Sequence, residues 1–160
     1  MIQISALSTD VVRAYQSGAP DAYSQKPERA VSDGQGNPCR HCLQEIPKGA
    51  GMLVLAYRPF DGLHPYAETG PIFLCELACG RYTGTSGLPP ALATSPSFLI
   101  KGYSSRDRIV YGTGQVIRTS DMAEHAEHIF ADANVDYIHI RSACNNCYQA
   151  RIDRGAKLKV

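Results

Sequence analysis

Six cysteines, arranged in three close pairs, constrain this chain more than any other feature of its sequence. The pairs are Cys39 and Cys42, Cys75 and Cys79, and Cys144 and Cys147. In a reducing compartment such pairs are metal ligands, reactive thiols or buried core residues before they are disulfides. A C-x2-C turn can wrap one metal ion, with backbone N–H groups directed at the sulfur atoms. A fold that uses the pairs in this way has to bring distant segments of the chain together.

The first two pairs predict a zinc site with four ligands, Cys39, Cys42, Cys75 and Cys79. The segment "CRHCLQEIPKGAGMLVLAY" has the form of a C-x2-C turn followed by a hairpin. Cys75 and Cys79 are i and i+4, which predicts that they share one face of a helix. A turn, a hairpin and a helix with two ligands are the layout of treble-clef zinc sites. Two alternatives stay open: thiols that are small buried hydrophobic side chains, and a metal site formed by Cys39, Cys42, Cys144 and Cys147.

A thiol-dependent enzyme, redox or hydrolytic, is a further alternative. Cys39 or Cys147 would be the nucleophile, and His139 could serve as its base. Arg40 and His41 lie between the first two cysteines, and positive neighbours lower the pKa of a thiol. Prolines on both sides of this turn, however, do not fit the helix start that a thioredoxin-like redox pair needs.

The hydrophobic pattern predicts an α+β fold in a single domain, residues 1–160. Apolar runs separated by turns predict a mostly antiparallel sheet, and "GMLVLAYRPF" is the strongest strand signal. A short N-terminal helix is expected in "STDVVRAYQSG". "DMAEHAEHIFADA" predicts one clear helix at about 121–133, with its histidines on the solvated side. The apolar stripe of this helix is expected to consist of Met122, Ala126, Ile129, Phe130 and Ala133.

Polar side chains at places where predicted strands and loops meet form a candidate small-ligand site. They are Arg58, Tyr66, Glu68, His139, Arg141 and Arg151. Arginines hold carboxylates and phosphates through paired hydrogen bonds, and Tyr and His supply further donors. His139 and Arg141 lie two apart on one predicted strand and therefore share a face. The expectation is a pocket for a small anion, and the alternative is that these side chains only fix loops to strand edges.

The charge balance and the N-terminus restrict the partners and the location. Sixteen basic and fifteen acidic residues give a net charge of +1, which argues against a nucleic-acid partner. No apolar run reaches the roughly 18 residues that a membrane span needs. "MIQISALSTDVVRAY" has no basic start and carries an aspartate where a secretory signal is apolar, so the expected location is cytoplasmic.

Four segments, "NPCRHCL", "YRPF", "PYAETGPIF" and "YIHIRSACNNCYQARIDR", resemble the short bacterial proteins catalogued as domain of unknown function 1203. The resemblance covers nearly the whole chain, and "PYAETGPIF" is its most distinctive piece. It implies family positions at Cys39, Arg40, residues 70–73 and Cys147, and it implies no activity. It does not imply cysteines at positions 42, 75 and 144, so the zinc prediction applies to this chain alone.

The sequence as a whole predicts a small soluble protein that binds a small anion without catalysing a reaction and carries a structural zinc site. The first alternative is the thiol-dependent enzyme. The second is a protein-interaction module that uses the apolar loop Leu88-Pro89-Pro90.

Overall fold

The computed structural model describes residues 2–84 and 87–155, which form two antiparallel sheets with three short α-helices. The strands are β1 (Ile2–Ser5), β2 (Glu28–Val31), β3 (Gly51–Tyr57), β4 (Gly70–Cys75), β5 (Ser97–Tyr103), β6 (Gln115–Arg118), β7 (Tyr137–Ser142) and β8 (Tyr148–Arg154). The helices are α1 (Thr9–Gln16), α2 (Pro90–Ala93) and α3 (Met122–Phe130). One sheet has the order β1-β8-β7-β5-β6 and the other the order β2-β3-β4. The predicted α+β fold with a mostly antiparallel sheet is confirmed.

The predicted N-terminal helix is α1, and local signals define both of its ends. The Ser8 hydroxyl accepts a hydrogen bond from the Val11 N–H at 3.4 Å, which caps the first turn. Gly18 has φ 93°, a conformation that suits glycine and ends the helix. Val12 is fully buried and fixes α1 to the core of the smaller sheet. No helix in the described part of the chain is long and apolar enough to cross a membrane.

The predicted helix at 121–133 is α3, but it ends earlier, at Phe130. Arg154 of β8 donates hydrogen bonds to the carbonyls of Phe130 at 2.7 Å, Asp132 at 3.0 Å and Val135 at 2.8 Å. A distant side chain therefore satisfies carbonyls at the C-terminus of the helix, and the chain can turn away there. Ala133, predicted as part of the apolar stripe, is exposed.

The apolar face of α3 packs on the larger sheet. The buried residues of this face are Met122, Ala126, Ile129 and Phe130, as predicted. They contact a layer of strand residues that includes Ile138 and Ile140 of β7 and Ile152 of β8. On the polar face His128 is exposed, whereas His125 is half-buried and its Nδ1 lies 3.1 Å from the Asp121 carbonyl oxygen.

A bulge in β8 changes the direction of Tyr148. Ile140 of β7 pairs with Ala150, but the next residue, Arg141, pairs with Tyr148, so Gln149 is the extra residue. Ala150 consequently faces α3, whereas Tyr148 packs with the core of the smaller sheet. The bulge thereby directs an aromatic side chain towards the space between the two sheets.

Replacement of Leu92 by alanine should lower the free energy of unfolding by about 2–5 kcal/mol. Leu92 of α2 is 1% exposed and belongs to the core around α3. Leu63→Ala is the matched control, because this leucine is 84% exposed, and its effect should stay within about 0.5 kcal/mol. Urea denaturation of both variants measures the difference, and equal losses would contradict this assignment of the core.

Candidate metal centre and polar pocket

The turn that carries Cys39 and Cys42 is a small closed hairpin. The Cys39 N–H donates to the Gln44 carbonyl at 2.9 Å, and the Leu43 N–H donates to the Cys39 carbonyl at 3.0 Å. Leu43 has φ 51°, in the left-handed region, which lets the chain reverse directly after Cys42. A parallel bridge between Cys39 and Phe73 fixes this turn to β4.

Cys75 and Cys79 do not lie on a helix, which corrects the sequence prediction. Cys75 is the last residue of β4, and Cys79 lies in an irregular loop. The Gln16 side-chain amide donates to the carbonyls of Cys75 at 2.8 Å and Leu77 at 3.0 Å, and Arg13 Nη2 donates to the Cys79 carbonyl at 2.7 Å. Side chains of α1 thus satisfy the loop carbonyls that helical hydrogen bonds would otherwise have to satisfy.

The four sulfur atoms of the two cysteine pairs converge. All four Sγ atoms lie within 4.8 Å of one another, and the Sγ–Sγ distances are 3.9 Å for Cys39 and Cys79 and 4.0 Å for Cys42 and Cys75. Thiolates bound at 2.3 Å to a tetrahedral ion are about 3.8 Å apart. Cys39 is buried and the other three cysteines are half-buried. This cluster is therefore geometrically suitable for a metal ion.

Hydrogen-bond donors surround the sulfur cluster. The Cys75 N–H donates to Cys39 Sγ at 3.3 Å. The fully buried His41 places Nδ1 3.1 Å from Cys79 Sγ and Nε2 3.0 Å from Thr9 Oγ1. A thiolate only accepts, so an Nδ1–H that donates to Cys79 leaves Nε2 to accept the Thr9 hydroxyl proton. Burial lowers the pKa of His41, which favours the neutral ring that this arrangement requires. Such outer contacts orient metal ligands.

Crowding separates the pKa values of the four thiols. Hydrogen bonds from Cys42 and Cys75 lower the pKa of Cys39. Hydrogen bonding to Cys39 raises the pKa of Cys42 and of Cys75, and burial raises the pKa of Cys79 to about 12. A bound divalent cation would favour the thiolate form of all four cysteines.

The third cysteine pair is separate from this cluster. Cys144 is exposed, and Cys147 Sγ is 3.7 Å from the Asn145 carbonyl that it faces. Cys147 borders a cavity of about 560 Å³ together with the buried Arg40. The fold therefore brings together the first predicted ligand set and does not bring Cys144 and Cys147 to Cys39 and Cys42.

Two residues of the predicted anion site, Glu68 and Arg141, form an internal ion pair. Arg141 Nη2 lies 2.9 Å from Glu68 Oε2, and the arginine side chain is only 4% exposed. Lys101 Nζ donates to Glu68 Oε1 at 2.8 Å. The Glu68 carboxylate thus faces two cations, and Arg141 Nη1 also donates to the Asn146 carbonyl at 3.2 Å.

Three other members of the predicted set, Arg58, His139 and Arg151, border one pocket of about 440 Å³. Glu68 and Arg141 do not line it, and neither does Tyr66. The Tyr66 hydroxyl instead lies 3.1 Å from the Tyr111 hydroxyl. The structure therefore divides the predicted set among three places.

Two residues near these sites, Arg81 and His41, were not predicted as site residues from the sequence. Arg81 borders the pocket and donates from Nη2 to the Ala6 carbonyl at 2.7 Å. Its position depends on the path of the irregular loop after Cys79, for which the sequence has no signal. His41 lies inside the C-x2-C turn, and that position could have indicated a role beside the sulfur atoms.

Comparisons with known proteins give one match. The family model described as a protein of unknown function, DUF1203, matches residues 36–154. No curated protein matches the chain, and no solved structure matches it. The matched region contains both cysteine pairs of the cluster and most of the residues that border the pocket.

Replacement of Glu68 by glutamine should destabilise the protein by about 1–3 kcal/mol, since it leaves the buried Arg141 charge without a counter-ion. Glu124→Gln is the matched control on the exposed face of α3, and its effect should stay below about 0.5 kcal/mol. Chemical denaturation at neutral pH measures both variants. If Glu68→Gln unfolds like the wild type, the ion pair contributes nothing to stability.

Proposed function

This chain belongs to the DUF1203 family of proteins of unknown function, and from the geometry of its own cysteines we propose that it holds one structural zinc ion. The ligands are Cys39, Cys42, Cys75 and Cys79. One observation carries the proposal: the four Sγ atoms lie within 4.8 Å of one another. Four thiolates favour zinc over hard cations such as Mg²⁺ and Ca²⁺. Four protein ligands leave no open position for a reacting water, so the ion is structural rather than catalytic.

The proposed ion joins three segments of the chain at one point. It would tie the C-x2-C turn to the end of β4 and to the loop that carries Cys79. That loop has no helix or strand of its own between Glu76 and Gly84. The side chains of Arg13 and Gln16 donate hydrogen bonds to its carbonyls, and the Tyr82 N–H donates to the His41 carbonyl at 2.9 Å. A metal ion would add a fixed point at Cys79.

The thiol-dependent enzyme gains less support than the binding protein. Cys39 is a member of the proposed metal site, and Cys147 and His139 border different cavities. A metal-bound Cys39 has no free thiolate to act as a nucleophile. The predicted cytoplasmic location is part of the zinc proposal, since a reducing compartment keeps the thiols available as ligands.

Non-catalytic binding of a small anion is the second candidate function. The observation in its favour is that Arg58, His139 and Arg151 border the same pocket. The interaction-module alternative has a weaker basis. Leu88 is 37% exposed and borders an apolar cavity of only about 160 Å³.

Purified wild-type protein should contain about one zinc ion per chain, with four sulfur ligands at about 2.3 Å. Elemental analysis measures the content, and X-ray absorption at the zinc edge measures the ligands and their distance. Cys75→Ser should lose most of the zinc, because one of four ligands is removed. Cys144→Ser is the matched control and should keep it, because this exposed cysteine lies outside the cluster. Zinc-free wild-type protein, or equal loss in both variants, would contradict the proposal.

Removal of zinc by a strong chelator should lower the melting temperature without unfolding the chain. A ligand present at about 100 times its dissociation constant stabilises by about 2.7 kcal/mol, which corresponds to a shift of roughly 5–10 °C for a domain of this size. Titration of the reactive thiols also reports the removal of zinc. Before chelation only Cys144 and Cys147 should react, and afterwards the cluster thiols should react as well. A reactivity that chelation does not change would show that no ion protected them.

A further inference from the structure

We infer that the pocket bordered by Arg58, Arg81, Arg151 and His139 binds a small organic anion through a carboxylate or phosphate group. This inference rests on the second candidate function, for which it names the site and the class of ligand. It does not depend on the zinc ion. The pocket has a volume of about 440 Å³, within the range of roughly 300–1,000 Å³ that is typical of small-molecule sites.

Three arginines from separate parts of the chain surround the pocket. Arg58 follows β3, Arg81 lies in the loop after Cys79, and Arg151 lies on β8. Arg58 Nε makes one long bond of 3.4 Å to a backbone carbonyl, and Arg81 Nη2 makes one of 2.7 Å. Arg151 Nε donates to Asp153 at 2.6 Å. A guanidinium group has five N–H donors, so each arginine has further donors for a ligand.

His139 is the most deeply buried polar side chain that borders the pocket. Its side chain is 2% exposed, and its Nδ1 is buried without a hydrogen-bond partner. The rings of Phe60, Tyr103, Tyr137 and Tyr148 surround it, with centroids 4.7–5.2 Å away. Burial and the neighbouring arginines lower the pKa of His139, which therefore stays neutral at physiological pH. The neutral ring therefore adds no positive charge to that of the three arginines.

Two tyrosines add neutral donors. Tyr57 and Tyr148 both border the pocket, and their ring centroids are 5.6 Å apart. Burial raises the pKa of Tyr57 to about 12 and raises that of Tyr148 as well. Both hydroxyls therefore keep their protons at physiological pH and can donate to an oxyanion. The bulge in β8 places Tyr148 on this side of the sheet.

The acceptors of the pocket are fewer than its donors. Its carboxylates are Asp61 and Asp153. Asp153 already accepts from Arg151 at 2.6 Å and from the Ser5 hydroxyl at 2.7 Å. Three arginines against two carboxylates leave one net positive charge, with neutral donors around it. This balance favours an anion over a cation or a neutral guest.

Isothermal titration calorimetry on the zinc-loaded full chain tests the inference. Inorganic phosphate and succinate are the two probes, because one carries the phosphate group and the other carries carboxylates without chelating zinc strongly. Sodium chloride at matched ionic strength is the reference titration. Arg58→Gln should weaken binding roughly tenfold or more, the loss expected for charge-assisted hydrogen bonds. Arg106→Gln is the matched control, because this exposed arginine does not line the pocket.

Two further measurements make the result unambiguous. Thermal unfolding of both variants without ligand shows whether either substitution damages the fold. The imidazole resonances of His139, followed by NMR during the titration, should shift with the bound probe. Binding of phosphate, of succinate or of both supports the site and identifies the group that it prefers. Binding of neither probe, equal weakening in both variants, or a His139 signal that does not move overturns it. Because zinc content is measured on the same samples, a negative result with full zinc loading leaves the metal proposal intact.

Discussion

β7 pairs with a strand on each side and is buried on both faces. Its alternating side chains therefore place apolar residues on the side of α3 and polar residues on the opposite side. Ile138 and Ile140 face α3 and form the centre of the larger core. His139 and Arg141 point to the opposite face and are 2% and 3% exposed. Two buried polar side chains on one strand need hydrogen-bond or charge partners nearby, because burying a polar group without a partner costs free energy. Glu68 supplies a counter-ion for Arg141, whereas Arg141 Nε and His139 Nδ1 are both buried without a hydrogen-bond partner in the described part of the protein.

The loop after β4 connects the two candidate sites. It supplies Cys79 to the sulfur cluster and, two residues later, Arg81 to the polar pocket. The loop has no backbone ladder of its own, so side chains of α1 and the contact with His41 determine its path. A metal ion at Cys79 would restrict this path further. The position of one pocket arginine therefore depends on the same few contacts that assemble the sulfur cluster.

Local signals in the sequence predicted the helices and strands. Tertiary contacts determine where α3 ends and which segment presents Cys79. Alternation and apolar runs identified strands such as β3 and β7, because burial of one or both faces leaves a mark on the sequence. The helix predicted for Cys75 to Cys79 was wrong, because spacing cannot reveal that α1 donates to the loop carbonyls. The early end of α3 depends on Arg154, which is 24 residues from Phe130. The pairing of the cysteines indicated the four sulfur atoms that the structure brings together, although the irregular loop that presents Cys79 was not predicted.

The positions of the cysteines explain why a metal site can exist in this chain without being a condition of the fold. Cys39 is fully buried among Leu74, Ile72 and Val12, in the core of the smaller sheet, and it would be a suitable core residue even as a thiol. The larger core around α3 contains none of the cysteines. Zinc would therefore act on the junction of the turn, β4 and the loop, while the five-stranded sheet is stabilised by its own apolar contacts. Zinc bound at the cluster would restrict the loop that also carries Arg81, beside the polar pocket.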